Sequence, residues 1–244
     1  TAASQEFPVV AVGITTYGFQ GAVVVPVSDT RSRTMRDLVG KSIGVQMGSG
    51  TAAVWLRYLE YLGLSERDFT IRNMDTEKIP AAFEAKALDA AVPWEPFARQ
   101  IVNAGLGRYM LRPQDIAGPV GATYAFPLLT SRHMIEEHAD VVQRFLNAWA
   151  KALKFIHENP EETAAIMQAA FFNQGLKLTQ EQVRELLGDT RYDRVTFNRD
   201  DVKDTAESAR IYLKAGRIRK MPNLEAFVEE RFARRAAQLV GWQQ

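Results

Sequence analysis

Ser42-Ile43-Gly44-Val45-Gln46-Met47-Gly48-Ser49-Gly50-Thr51-Ala52-Ala53-Val54-Trp55-Leu56 decides the fold class. Ser42 to Gln46 reads as a strand and Gly48-Ser49-Gly50 as a turn. Val54, Leu56, Tyr58, Leu59 and Leu62 then recur at the 3.6-residue period of a helix, and Gly63 stands where a left-handed C-cap belongs. Strand, glycine turn and helix make half of a βαβ unit. Outward from it, Phe69 to Met74, Glu77 to Lys86 and Leu88 to Val92 repeat strand, helix, strand; Pro96 to Ala104 adds a helix and Tyr109 to Leu111 a strand. Alternation of this kind implies an α/β fold with a mainly parallel sheet. Upstream, the valine-rich runs Val9 to Ile14 and Ala22 to Val27 read as two more buried strands.

Downstream the character changes. Tyr124 to Thr130 is an isolated extended segment. Asp140 is expected to cap a long helix to about Glu158, with Val141, Phe145, Ala148, Trp149, Ala152 and Phe155 on one stripe. Asn159-Pro160 reads as an N-cap with proline at the first helical position, Thr179 with Gln182 as a capping box, and Asn198 and Asn223 as starts of the last helices. This helical half has no strands of its own and must pack on a sheet built elsewhere.

At 244 residues the chain suits one large domain or two small lobes, by the usual guide of about 150 residues per domain. Thirty Lys and Arg against 29 Asp and Glu leave a formal charge of +1, too weak a field to hold a nucleic-acid backbone. The longest apolar run, Ala22 to Val27, is far short of the roughly 20 residues that span a bilayer. With no cysteine there is no thiol nucleophile, thiolate metal site or disulfide. His133, His138 and His157 lack metal-pair spacing, and neither a G-x-S-x-G elbow nor a P-loop occurs. Arg191, Arg194 and Arg199 read as a solvated face. Neither a catalytic residue, a metal ligand nor a cofactor is expected.

Chemistry concentrates at Gly48-Ser49-Gly50-Thr51. The first N–H groups of a helix point outward at the positive end of its dipole, so a carboxylate, sulfonate or phosphate is favoured there, and small residues let it approach. Ser49, Gly50 and Thr51 are therefore candidate contacts, although glycine and serine also make a plain cap. Gly48 to Ala53 further fits G-x-G-x-x-A with Asp75 at the end of the next strand, a dinucleotide fingerprint, but two strands precede it where the fingerprint ordinarily sits on the first. Trp94 and Glu95 lie beyond the carboxyl end of a strand, where α/β sheets place ligand contacts: the indole as a wall, the carboxylate toward a cation or a salt bridge. Thr16 and Tyr17 offer hydroxyls at the end of the first strand, and Tyr124 heads the later extended segment.

Four motifs in order resemble one family: Asp37-Leu38-Val39-Gly40-Lys41-Ser42-Ile43-Gly44-Val45, then Gly48-Ser49, then Asp89-Ala90-Ala91-Val92-Pro93-Trp94-Glu95-Pro96, then Ala125-Phe126-Pro127-Leu128-Leu129-Thr130-Ser131-Arg132. They are similar to those of the substrate-binding proteins of bacterial ABC importers of the sulfonate, taurine and nitrate group, related to the NMT1/THI5 proteins. The resemblance implies a two-lobed periplasmic-binding-protein-like (type II) fold in which Ala22 to Val27 and Tyr124 to Thr130 are hinge strands. Residues 40–121 are then the second lobe, and residues 1–39 with 122–244 the first, lacking its N-terminal part. It further implies a small organic anion bound in an interlobe cleft, delivery to a membrane ABC permease, a periplasmic or lipid-anchored location and a monomer. The family often has a lysine before the Gly-Ser where this chain has Met47, which weakens the case for a small hard anion, while Ala52 and Ala53 leave room for a larger organic group. Two other readings stay open: a nucleotide-dependent or NMT1/THI5-related enzyme, and the ligand-sensing module of a regulator.

Overall fold

Val9–Tyr17 extends as strand β1, the first element of the computed structural model, which describes residues 7–242. Two units are present, residues 7–18 with 123–242 and residues 19–122.

In the unit formed by residues 19–122, Val23–Pro26 (β2), Ser42–Val45 (β3), Thr70–Asn73 (β4), Ala90–Val92 (β5) and Gly107–Leu111 (β6) build one sheet in the order β4-β3-β5-β2-β6. Its helices are Gly50–Tyr61 (α1), Ile79–Glu84 (α2), Phe97–Asn103 (α3) and Pro113–Val120 (α4). β3 runs parallel to β4 and β5, joined through α1 and α2, whereas β2 is antiparallel to both β5 and β6. The sheet is therefore mixed.

That pairing also moves the expected boundary. Because β2 lies between β5 and β6, residues 19–39 belong with 40–122, and Ala22 to Val27 supplies an interior strand of this sheet. Ala22, Val24, Ile79, Phe83, Leu88, Ala91, Ala98 and Ile101 form one core cluster. α1 is buried at nine consecutive residues, Thr51 through Leu59, because α4 covers a side of it. Arg57 at the α1–α4 seam donates from Nη2 to the Val120 carbonyl at 2.8 Å. No element is expected from the sequence at α4; Pro113 opens it and left-handed Gly121, φ 60°, closes it.

In the other unit, Ala125–Ser131 (β7) pairs antiparallel with β1, Val9 opposite Ser131 and Tyr17 opposite Ala125. Seven helices follow: Arg132–Glu137 (α5), Ala139–Glu158 (α6), Pro160–Asn173 (α7), Gln180–Gly188 (α8), Arg199–Lys214 (α9), Leu224–Phe227 (α10) and Arg231–Leu239 (α11). The Thr179–Gln182 box and the Asn198 and Asn223 caps form as the sequence indicates. The α6 stripe does not. Val142, Leu146, Ala150 and Leu153 face the core with Val12 of β1 and Phe232, Ala233 and Ala236 of α11, while Val141, Phe145 and Phe155 are exposed. The residue capping α6 is His138, with Asp140 inside the first turn. Gly13 permits this packing: a Cβ there would lie 2.9 Å from the Val195 carbonyl oxygen and 3.1 Å from Leu146 Cδ1.

Candidate functional site

The glycine corner is shaped by contacts from β4 and its following turn. Asn73 Oδ1 accepts from the Met47 amide at 3.0 Å and Gln46 Oε1 from the Thr76 amide at 3.0 Å, which fixes the chain leaving β3. Gly48 turns it at φ 89°, a conformation suited to glycine, and no heavy atom lies within 4 Å of where its Cβ would be. Ser49 then caps α1, its Oγ accepting from the Ala52 amide at 3.1 Å. Gly48 and Gly50 are exposed, so the corner is open and an anionic oxygen can approach the first-turn amides.

Thr51 behaves differently from its neighbours. It is 2% exposed, with its methyl turned toward Gly21, where an added Cβ would stand 2.5 Å from Thr51 Cγ2. Gly21 in turn bridges to Trp94. Gly21, which sequence reading passes over, is thus the residue whose missing side chain lets Thr51 and Trp94 share one place. Trp94 is half-buried, edge-on to Phe97 with ring centroids 6.4 Å apart.

Glu95 is engaged within its own unit. Its Oε1 accepts from the Tyr109 hydroxyl at 2.5 Å, its Oε2 from the Arg99 amide at 3.0 Å, and it is 7% exposed. Burial, with this carboxylate alongside, pushes the Tyr109 hydroxyl well above its ordinary range. Glu95 thus joins α3 to β6 from inside the unit.

In the unit containing β1, Thr16, Tyr17 and Tyr124 come together, since Tyr17 stands opposite Ala125 and the Gly18 amide donates to the Thr123 carbonyl at 2.9 Å. Their polar groups are engaged: Thr16 Oγ1 with the Arg191 carbonyl at 2.9 Å, the Tyr17 hydroxyl with Asp193 at 2.8 Å, and the Tyr124 amide with Asp204 Oδ2 at 2.9 Å. Burial, and then Asp193, raise the Tyr17 pKa.

The expectation of a solvated face at Arg194 is overturned. Arg194 is paired through both terminal nitrogens with Asp201, whose side chain is fully buried. Burial opposes the guanidinium charge, but this carboxylate and Tyr17 more than offset it and raise the Arg194 pKa. Asp201 also accepts from Thr123 Oγ1 and the Asn198 amide, each at 2.9 Å. The Asn198–Asp201 spacing carries the signal for a cap but none for these distant partners.

Two hollows of about 270 Å³, one at Arg132, Glu136 and Glu225 and one at His157, Arg184 and Arg191, contain none of the candidate residues. Among the described residues no three His, Asp or Glu side chains are grouped to hold a metal ion, and no helix is long and apolar enough to cross a membrane.

The chain is 24% identical over 227 residues to a Bacillus subtilis protein described as binding aliphatic sulfonates, covering 92% of this chain and 65% of the relative. Its fold is similar to that of the alkanesulfonate-binding protein of Xanthomonas axonopodis pv. citri bound to MOPS, with TM-score 0.80 at 22% identity over 94% of this chain and 76% of that one. A desulfurization enzyme also shares the fold, with TM-score 0.69 at 14% identity over 95% of this chain and 79% of that one, so the architecture itself does not separate carriage from turnover. The chain spans about half the length, 47%, of the first curated relatives it matches. Residues 1–163 match the family described as NMT1/THI5 like, and the chain belongs to that family of proteins related to sulfonate- and taurine-binding components of ABC importers.

Proposed function

We propose that this chain binds a small organic anion, a sulfonate or carboxylate, and delivers it from the periplasm or the cell surface to an ABC permease without making or breaking a bond in it. The observation that carries the reading is the open Gly48-Ser49-Gly50 corner, where the first-turn amides stand at the positive end of α1 and no heavy atom lies within 4 Å of where a Gly48 Cβ would be. Ser49 and Gly50 contact the anionic group; Trp94 supplies an apolar wall, and Thr51 shapes the corner from beneath. Thr16, Tyr17 and Tyr124 are the candidate contacts of the other unit. The names of the sulfonate-binding and taurine-binding relatives support a sulfonate as the first solute to try. None of the 244 residues is a cysteine, so thiol chemistry has no nucleophile among them.

Thermal unfolding with alkanesulfonates, taurine, aromatic carboxylates, nitrate and NAD tests this. A ligand at 100 times its Kd stabilises by about 2.7 kcal/mol, so a sulfonate or carboxylate should raise the midpoint by several degrees. Stabilisation by NAD alone would replace this reading with a nucleotide-dependent one.

A further inference from the structure

Tyr124 holds φ at 52°, in the left-handed region that an aromatic residue rarely adopts. The other described non-glycine residue there, Lys86, follows the end of α2 in an exposed turn, where a left-handed residue closes a helix. Tyr124 has no such reason. α4 is already closed by Gly121, three residues earlier. A residue held against its preference persists only where its surroundings over-determine it, and such residues concentrate at ligand contacts.

The surroundings are specific. Asp201 and Asp204 stand three apart on α9 and so share a face. Asp201 takes the Thr123 hydroxyl and Asp204 takes the Tyr124 amide, each at 2.9 Å, and the two residues are 1% and 6% exposed. The Thr123 carbonyl is engaged by the Gly18 amide. The result is a defined ring position: Tyr124 lies edge-on to Phe126, centroids 4.7 Å apart at 83°, and stays half-exposed. Glycine would make the same turn without strain, so the ring is the feature the strain preserves.

We propose that Asp204 is a positioning residue, whose carboxylate on the Tyr124 amide holds the left-handed turn that fixes the Tyr124 ring as a specificity-determining contact for the organic part of the bound anion. The inference rests on the solute-binding reading above.

Calorimetric titration with 1-hexanesulfonate and with taurine, on wild type, Y124A, Y124G, D204A, D204N and the D204A/Y124A double variant, tests it well below each melting midpoint. Y124G should melt higher than Y124A, because relief of the left-handed strain outweighs the extra freedom glycine gives the unfolded chain. Y124A should lose more affinity for hexanesulfonate than for taurine. D204A should weaken hexanesulfonate binding about tenfold, the size of one hydrogen bond to a charged group, and D204N, which keeps an acceptor oxygen, should recover most of it. In the Y124A background D204A should cost nothing further, because the two act through one contact. A D204A protein that melts lower but binds as wild type would make Asp204 merely structural and overturn the inference. So would Y124A or Y124G binding hexanesulfonate as wild type does, a result that stands even where D204A fails to fold. If wild type binds neither probe, the functional reading falls and the inference with it; if wild type binds and the variants are unaltered, only the inference falls.

Discussion

Arg194 lies over the ring of Tyr17, its guanidinium carbon 3.9 Å from the ring centroid, while its terminal nitrogens pair with Asp201. One cation thereby ties the end of β1 to the first turn of α9. The arrangement is worth most as a fixed geometry: a buried pair can be replaced by apolar residues at little cost, but loss of one partner strands the other charge.

Arg194→Ala should therefore lower stability by about 3 kcal/mol, because it leaves the fully buried Asp201 carboxylate without its counter-charge. Urea unfolding monitored by fluorescence reads this directly. Arg194→Ala with Asp201→Asn, which removes the charge but keeps an acceptor oxygen for the Thr123 and Asn198 donors, should lose less than the single change. A double variant as unstable as the sum of the singles would contradict the stranded-charge account.

Leu146→Ala should cost about 2–5 kcal/mol and Phe145→Ala less than about 1 kcal/mol, although they are neighbours on α6. Leu146 is 1% exposed and Phe145 53%. Equal losses from the two would show that the exposed face of α6 is covered in solution.

The α6 misreading shows where sequence stops. An apolar residue every three or four positions defines a helix, but α6 carries two such stripes, one starting at Val141 and one at Val142, and periodicity ranks neither. Only the small residues on the opposing face, Ala233 and Ala236 of α11 and Gly13 of β1, select the second. The βαβ unit around Ser42 to Leu62 was legible because turn, cap and period are local. The Ser49–Gly50 corner was legible for the same reason. Arg194, Asp201 and Asp204 were not, since their partners Tyr17, Thr123 and Tyr124 are about 80 to 180 residues away and no spacing rule links them.

Asp29 should titrate at about 2. The Ser32 hydroxyl and amide hold its carboxylate ionised against partial burial, with the Arg31 amide and Arg108 adding to them, below the 3.8 usual for aspartate. The folded value lies under the unfolded one, so its stabilisation is complete above pH 3.8 and is lost as pH falls toward 2. Ser32→Ala removes the leading cause and should return the Asp29 titration, followed by carboxyl NMR, toward 3.8. An unmoved titration would assign the depression to the donors that remain, the Ser32 and Arg31 amides, with Arg108.

Ser49→Asp separates the two roles of the glycine corner. Aspartate caps a helix as well as serine does, and its charge is favoured by the dipole, so the free protein should keep its unfolding midpoint or gain up to about 1 kcal/mol. The same carboxylate would occupy the ground of the bound anion. Two like charges about 4 Å apart repel by roughly 1 to 4 kcal/mol between bulk water and a protein surface, so sulfonate affinity should fall about fivefold or more. Ser49→Ala should do the reverse, lowering stability by about 1 kcal/mol through loss of the bond to the Ala52 amide and weakening binding less. If Ser49→Asp binds the sulfonate as tightly as wild type, the corner is a helix cap and the anion is held elsewhere.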